Sequence, residues 1–123
     1  MYSYEACYET WFTAGHYILS HPGSCSRPHG HNYRVVVCVE SEGLNQLNMV
    51  IDYYELKSVV DGVVSALDHA MLNEVLATKN PTSEVLARHI YEEVSEKLKG
   101  YRVSRVTVCE TPDFCVSLRQ RRP

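Results

Sequence analysis

Hydrophobic periodicity along this chain runs twice at two residues, twice at three to four, and twice at two again. That order leaves few folds open. Tyr2, Tyr4, Ala6 and Tyr8 alternate with Ser3, Glu5, Cys7 and Glu9, the pattern of a half-buried strand. A loop with His21, Pro22, Gly23 and Ser24 follows, and then Tyr33, Val35, Val37 and Val39 give a second β-rich run that ends before a turn at Ser41 to Gly43. Asp52 opens a helix, with Glu55 three residues on as a capping box; Leu56, Val59, Val60, Val63, Val64 and Leu67 make its apolar face. The valines are poor helix formers, so packing must hold it. Asn80-Pro81-Thr82 marks the next helix start, Glu84 suits its positive end, and Leu86, Ile90, Val94 and Leu98 recur at every fourth residue until Gly100. Val106 and Val108, alternating with Arg105, Thr107 and Cys109, predict a third strand; Phe114, Val116 and Leu118 predict a fourth after a turn at Asp113.

The order strand, strand, helix, helix, strand, strand predicts an α+β fold in one domain, residues 1–123, with two helices on one face of a four-stranded antiparallel sheet. Such a sheet has open edges, which predicts a homo-oligomer. The net charge of -3 argues against nucleic acid as a partner, because phosphate binding needs an excess of Lys and Arg. The basic cluster Arg119, Arg121 and Arg122 reads as a solvated terminus. No apolar stretch approaches the roughly 20 residues that span a bilayer, and Met1 to Glu9 lacks the pattern of a signal peptide, so the expected setting is cytoplasmic, without a membrane partner. Five cysteines, an odd number without a secretion signal, predict reduced thiols, with Cys7, Cys38 and Cys109 as small core residues.

Chemistry concentrates in Cys25-Ser26-Arg27-Pro28-His29-Gly30-His31. In extended chain His29 and His31 point to one face and can reach one ion. If the first two strands form a hairpin, His16 joins them, and three histidines with an open fourth position suit catalytic zinc. A closed structural site with Cys25 as fourth ligand, or a chance His-x-His, stays open on spacing alone. A free Cys25 near Zn²⁺ and Arg27 would favour the thiolate, suited to a base or nucleophile. Asp68-His69 ends the first helix and reads either as a proton-transfer pair or as a solvated terminus. Glu110 shares a face with Val106 and Val108 and needs a partner, either a guanidine-like ligand group or an arginine. His21 and His89 read as structural or solvated; Arg27, His21 and Lys79 are candidate contacts for a phosphate chain.

In combination the segments resemble one family, the 6-pyruvoyl- and 6-carboxy-tetrahydropterin synthases. The pieces are Phe12-x-Ala14-x-His16, Cys25-x-x-x-His29-Gly30-His31-Asn32-Tyr33, Val50-Ile51-Asp52-Tyr53, Leu67-Asp68-His69-x-x-Leu72-Asn73, Pro81-Thr82-Ser83-Glu84 and Glu110-Thr111, in the family's order and nearly end to end. The resemblance implies that His16, His29 and His31 bind Zn²⁺, that Cys25 is the general base, and that Asp68 and His69 assist it. Glu110 would act at the site by anchoring the pterin edge, with Thr111 and Arg27 as further substrate contacts. It also implies the tunnelling fold, in which three sheets join into a twelve-stranded barrel and two rings stack as a hexamer with active sites at subunit interfaces. Three residues between Cys25 and His29 are similar to the 6-carboxy enzymes of the queuosine pathway. The implied reaction takes 7,8-dihydroneopterin triphosphate, a small pterin triphosphate, to 6-carboxy-5,6,7,8-tetrahydropterin with release of acetaldehyde and triphosphate. The alternatives are 6-pyruvoyl-tetrahydropterin synthesis, side-chain cleavage without triphosphate elimination, and a non-catalytic zinc module. Gly15 and Pro28 depart from the family's usual residues.

Overall fold

The computed structural model describes residues 2–121, so Arg122 of the basic cluster lies outside the described residues, while Arg119 and Arg121 are exposed. Two long strands, β1 (Tyr4–His16) and β2 (His29–Ser41), pair antiparallel from Tyr4↔Ser41 to His16↔His29. Both run beyond the stretches that alternation marked, because the strand pattern continues through the histidines themselves. Next come α1 (Tyr53–Ser65), a single turn α2 (Leu72–Val75) and α3 (Ser83–Lys97). β3 (Arg102–Thr111) and β4 (Phe114–Leu118) complete a four-stranded antiparallel sheet in the order β1-β2-β3-β4. The expected α+β architecture holds, with the short α2 added between the two expected helices.

Strand alternation gives the sheet two unlike faces. One carries Phe12, Ala14, Tyr33, Val35, Val37, Val106 and Val108, buried against Leu56, Val60, Leu86, Ile90 and Val94 of the helices. Phe12 and Tyr33 stack there at 5.0 Å between ring centroids. Each such side chain contributes roughly 1.5–3 kcal/mol when fully buried, which offsets the weak helix propensity of the valines in α1. Asp52 caps α1 by accepting from the Tyr54 N–H at 2.8 Å. The reciprocal half of the expected capping box is not formed, since Glu55 instead accepts from the Tyr101 hydroxyl at 3.5 Å. Thr82 caps α3 through the Val85 N–H at 3.3 Å.

The helix-free face overturns the expectation of reduced thiols. Cys7 is bonded to Cys38 and Cys109 to Cys115. Both pairs are cross-strand neighbours, Cys7↔Cys38 and Cys109↔Cys115, with Cα atoms 4.0 Å apart. Composition and compartment gave no sign of this; register decides it, because directly opposed side chains on one face place two sulfurs within bonding reach. Cys38 and Cys109 are buried as expected, whereas Cys7 and Cys115 are exposed. Cys25 alone of the five is a free thiol.

Candidate metal centre and active site

The β1–β2 register builds the histidine cluster. His16 lies opposite His29, and Ala14 opposite His31, so all three imidazoles stand on the helix-covered face at one end of the sheet. Ring centroids are 4.6 Å apart for His16–His29, 5.1 Å for His16–His31 and 4.8 Å for His29–His31. Glu110 reaches the same point from β3: its Oε1 is 3.0 Å from His16 Nε2 and 3.2 Å from His31 Nε2. One ligand atom from each of the four lies within 4.8 Å of the others. Glu110 therefore finds its partners in histidines, and the alternative of an arginine partner is not seen among the described residues.

Two main-chain carbonyls fix the tautomers. His16 Nδ1 is 2.9 Å from the Pro81 carbonyl and His29 Nδ1 is 2.7 Å from the Arg27 carbonyl. A carbonyl only accepts, so each Nδ1 carries the proton and each Nε2 is left with a lone pair. Those two Nε2 atoms face one another at 3.0 Å. His31 Nε2 is buried and makes no hydrogen bond among the described residues. Burial pushes the His31 imidazole below the ordinary histidine range; Glu110 pulls the other way, and His16 and His29 add to the lowering, so the ring is neutral at pH 7. In that tautomer the Nε2 lone pairs and the Glu110 carboxylate converge as acceptors. This arrangement is repulsive alone and attractive around a cation. Ligands at about 2.0–2.1 Å from a tetrahedral zinc stand about 3.3 Å apart, close to the spacings here. The residues fit a zinc ion.

Neighbouring residues explain the local geometry. Pro28 holds Arg27 extended, at φ -93 and ψ 145, which aims the Arg27 carbonyl at His29. Arg27 acts through its main chain, and its side chain is exposed. A Cβ on Gly15 would come within 3.3 Å of the His29 carbonyl oxygen and of Met71 Cε, so the absence of a side chain there permits close packing beside the metal-facing pair. Tyr33, buried beneath the cluster, has its hydroxyl 3.2 Å from His16 Nδ1. Burial, and after it the Glu110 charge, push its phenol well above the ordinary range, so it stays protonated.

Beside the cluster opens a cavity of about 380 Å³ lined by His16, Cys25, Glu110, His21, Glu84 and Phe114 among others. Cys25 faces this cavity and stands outside the metal-facing group, so the closed site with Cys25 as fourth ligand finds no support in the geometry. His21, read from sequence as structural or solvated, lines the cavity with its Nδ1 accepting from the Gly23 N–H at 2.9 Å. Thr111 points to the opposite face, where it lines a separate hollow with Trp11 and Arg34. Asp68 and His69 lie past the end of α1, against the outer edge of β1. Asp68 Oδ1 accepts from the Thr13 N–H at 2.9 Å, and its Oδ2 is 2.9 Å from His69 Nδ1. His69 adopts φ 59 and is 81% exposed, so within one chain the pair is not part of the cavity that Cys25 lines. Sequence reasoning missed Pro81 as a carbonyl acceptor and Phe114 as a cavity wall. Tyr33 as a neighbour of the cluster was legible, since it continues the alternation of His29 and His31.

Comparison with known proteins gives the chain its family. The sequence is 38% identical to a putative 6-carboxy-5,6,7,8-tetrahydropterin synthase of Archaeoglobus fulgidus over 111 residues, 90% of this chain and 91% of that one. It is 40% identical over 91 residues to a dihydroneopterin monophosphate aldolase of Pyrococcus furiosus, covering 73% of this chain and 76% of the other. The fold superposes on the 6-pyruvoyl tetrahydropterin synthase of Caenorhabditis elegans with a TM-score of 0.87, at 25% identity and 98% coverage of both chains. Residues 5–121 match the description of the 6-pyruvoyl tetrahydropterin synthase family, and the chain belongs to that family.

Proposed function

We propose that this single-domain chain is a zinc-dependent 6-carboxy-5,6,7,8-tetrahydropterin synthase, acting early in 7-deazapurine synthesis of the queuosine type. It would take 7,8-dihydroneopterin triphosphate and water to 6-carboxy-5,6,7,8-tetrahydropterin, acetaldehyde and triphosphate. The observation that carries this reading is the convergence of three imidazoles and a carboxylate at the wall of a cavity that also holds a free thiol. The relatives named for the 6-carboxy activity support the choice of reaction.

His16, His29 and His31 would hold the ion. When bound, zinc supplies Lewis-acid polarisation of the substrate's side-chain hydroxyls. Cys25 takes a proton from that side chain as thiolate. Glu110 would accept from the amino-pyrimidinone edge of the pterin with its two carboxylate oxygens, a bidentate pattern that fixes the ring's orientation. Asp68 holds His69 by its Nδ1–H and leaves Nε2 to relay protons. Because that pair lies on the sheet's edge, it would serve the cavity of a neighbouring copy. We take the assembly to be a barrel of three sheets, joined edge to edge and stacked in pairs. Arg27, exposed and two residues from the cavity-lining Cys25, would meet the triphosphate. No helix among the described residues is long and apolar enough to cross a membrane, and we place the enzyme in the cytoplasm.

A second reading is favoured by the relative named a dihydroneopterin monophosphate aldolase: this chain would then cleave the side chain and keep its phosphate. One assay separates the two. Zinc-loaded protein is incubated in parallel with 7,8-dihydroneopterin triphosphate and with the monophosphate, and the products are analysed by mass spectrometry. Carboxy-tetrahydropterin with acetaldehyde supports the proposal. A hydroxymethyl pterin with a phosphorylated two-carbon aldehyde would replace it with the aldolase, and pyruvoyl-tetrahydropterin with the sister synthase.

A further inference from the structure

Glu110 is aimed by a short and irregular hairpin. From Cys109 to Thr111 β3 advances two residues, while β4 advances one, from Cys115 to Phe114. Glu110 is thus the extra residue of a bulge, which turns its side chain but leaves it unpaired in the ladder. β4 has five residues and is an edge strand. β2 pairs with β3 only as far as Arg34↔Cys109, so beyond it the hairpin end has β4 alone for main-chain support, yet it must hold Oε1 at 3.0 and 3.2 Å from two imidazole nitrogens. The Cys109–Cys115 bond crosses the hairpin at the pair flanking the bulge, and Phe114 and Cys115 themselves line the cavity.

The surroundings of this bond also favour its opening. Cys109 is buried, with Arg34 Nη1 at 3.2 Å from its sulfur, and Cys115 is exposed. An incoming thiolate reaches Cys115, and the departing Cys109 thiolate forms beside a guanidinium, which makes it a good leaving group. At Cys7–Cys38 the polarity is reversed: Arg105 Nη2 lies 3.6 Å from the exposed Cys7 sulfur, beside Glu5 at 3.6 Å, while Cys38 is the buried partner.

We propose that Cys109–Cys115 is a positioning disulfide for Glu110 and the more readily reduced of the two bonds, so that a dithiol reductant releases the aim of Glu110 into the cavity. One reductant thiolate attacks Cys115 Sγ, forming a mixed disulfide as the S–S bond breaks with its electron pair on Cys109. The second reductant thiolate displaces Cys115 and closes the oxidised dithiol. The protein gains two electrons, and the dithiol's two protons pass to the cysteines. Insofar as Glu110 is the pterin anchor, the inference rests on the proposed function.

The full-length protein is treated with graded dithiothreitol, alkylated and mapped by mass spectrometry, with hydrogen exchange followed at residues 110–114. Cys109 and Cys115 should be labelled before Cys7 and Cys38, and exchange at 110–114 should rise in step. Neopterin binding, read by its fluorescence, should weaken about tenfold in a Cys109→Ser/Cys115→Ser variant and stay unchanged in Cys7→Ser/Cys38→Ser, as for loss of a residue that orients a ligand group. Labelling of both cysteines without reductant, release of Cys7 and Cys38 first, or opening with unchanged exchange would overturn the inference. Wild-type protein that binds no neopterin would instead count against the proposed function, and the exchange readout still decides this one. Should the variant fail to fold, the dithiothreitol series on the wild type stands alone.

Discussion

His31 and Cys25 share one site, and their replacements should separate two jobs. On the proposed function His31→Ala removes a ligand atom, so zinc content after dialysis should fall from stoichiometric to a small fraction, read by elemental analysis. Cys25→Ala should keep its zinc and lose turnover, because the thiol faces the cavity from outside the metal-facing group. Zinc loss on Cys25→Ala would revive the closed structural site. Asp68 carries a pH prediction. The Thr13 N–H, and next the His69 ring, hold its carboxyl below the ordinary range near 3.8. Its folded value is the lower one, so its contribution is complete above the ordinary value and is lost as pH falls through the depressed one. Melting temperatures between pH 6 and 3 should drop less steeply for Asp68→Asn than for the wild type. At this scale the donor set was largely legible, since imidazoles two apart in a strand must share a face. The carbonyls of Pro81 and Arg27 were not, because every residue carries that group and only the fold decides which one meets a ring.

The elements depend on packing more than on their own propensities. α3 has a Thr82 cap and a stripe of Leu86, Ile90 and Val94 that is fully buried on the sheet. Ile90→Ala should cost about 2–5 kcal/mol, the usual range for emptying a buried aliphatic site, measured by urea unfolding. A cost below 1 kcal/mol would mean that the helix does not pack as described. Periodicity revealed both long helices and all four strands, because each buries a single face. It underestimated β1 and β2, whose ends carry histidines where hydrophobes would mark a strand. It also missed α2, four residues being too few for any period. The disulfides were hidden for a different reason: sequence gives which face a cysteine takes, while only register says which cysteine it meets.

For the whole molecule, the separation of Asp68-His69 from the cavity of its own chain makes a test of assembly. If each site draws that pair from a neighbour, Cys25→Ala and His69→Ala proteins, inactive alone, should regain part of the activity when unfolded together and refolded as mixed oligomers. Continued inactivity, with mixed oligomers confirmed by native mass spectrometry, would place the pair elsewhere. The edges that such assembly requires were foreseeable from the strand count; the number of copies was not. Segments near residues 16, 29, 81 and 110 meet at the metal-facing group, although they lie far apart in the chain. Two of its three imidazoles take their direction from peptide carbonyls, Pro81 and Arg27. An alanine scan read by metal content would pass over both positions almost silently, since alanine carries the same carbonyl. What the two connecting segments encode for the site is their length and path, so a one-residue deletion in either should disable the centre where many substitutions leave it intact.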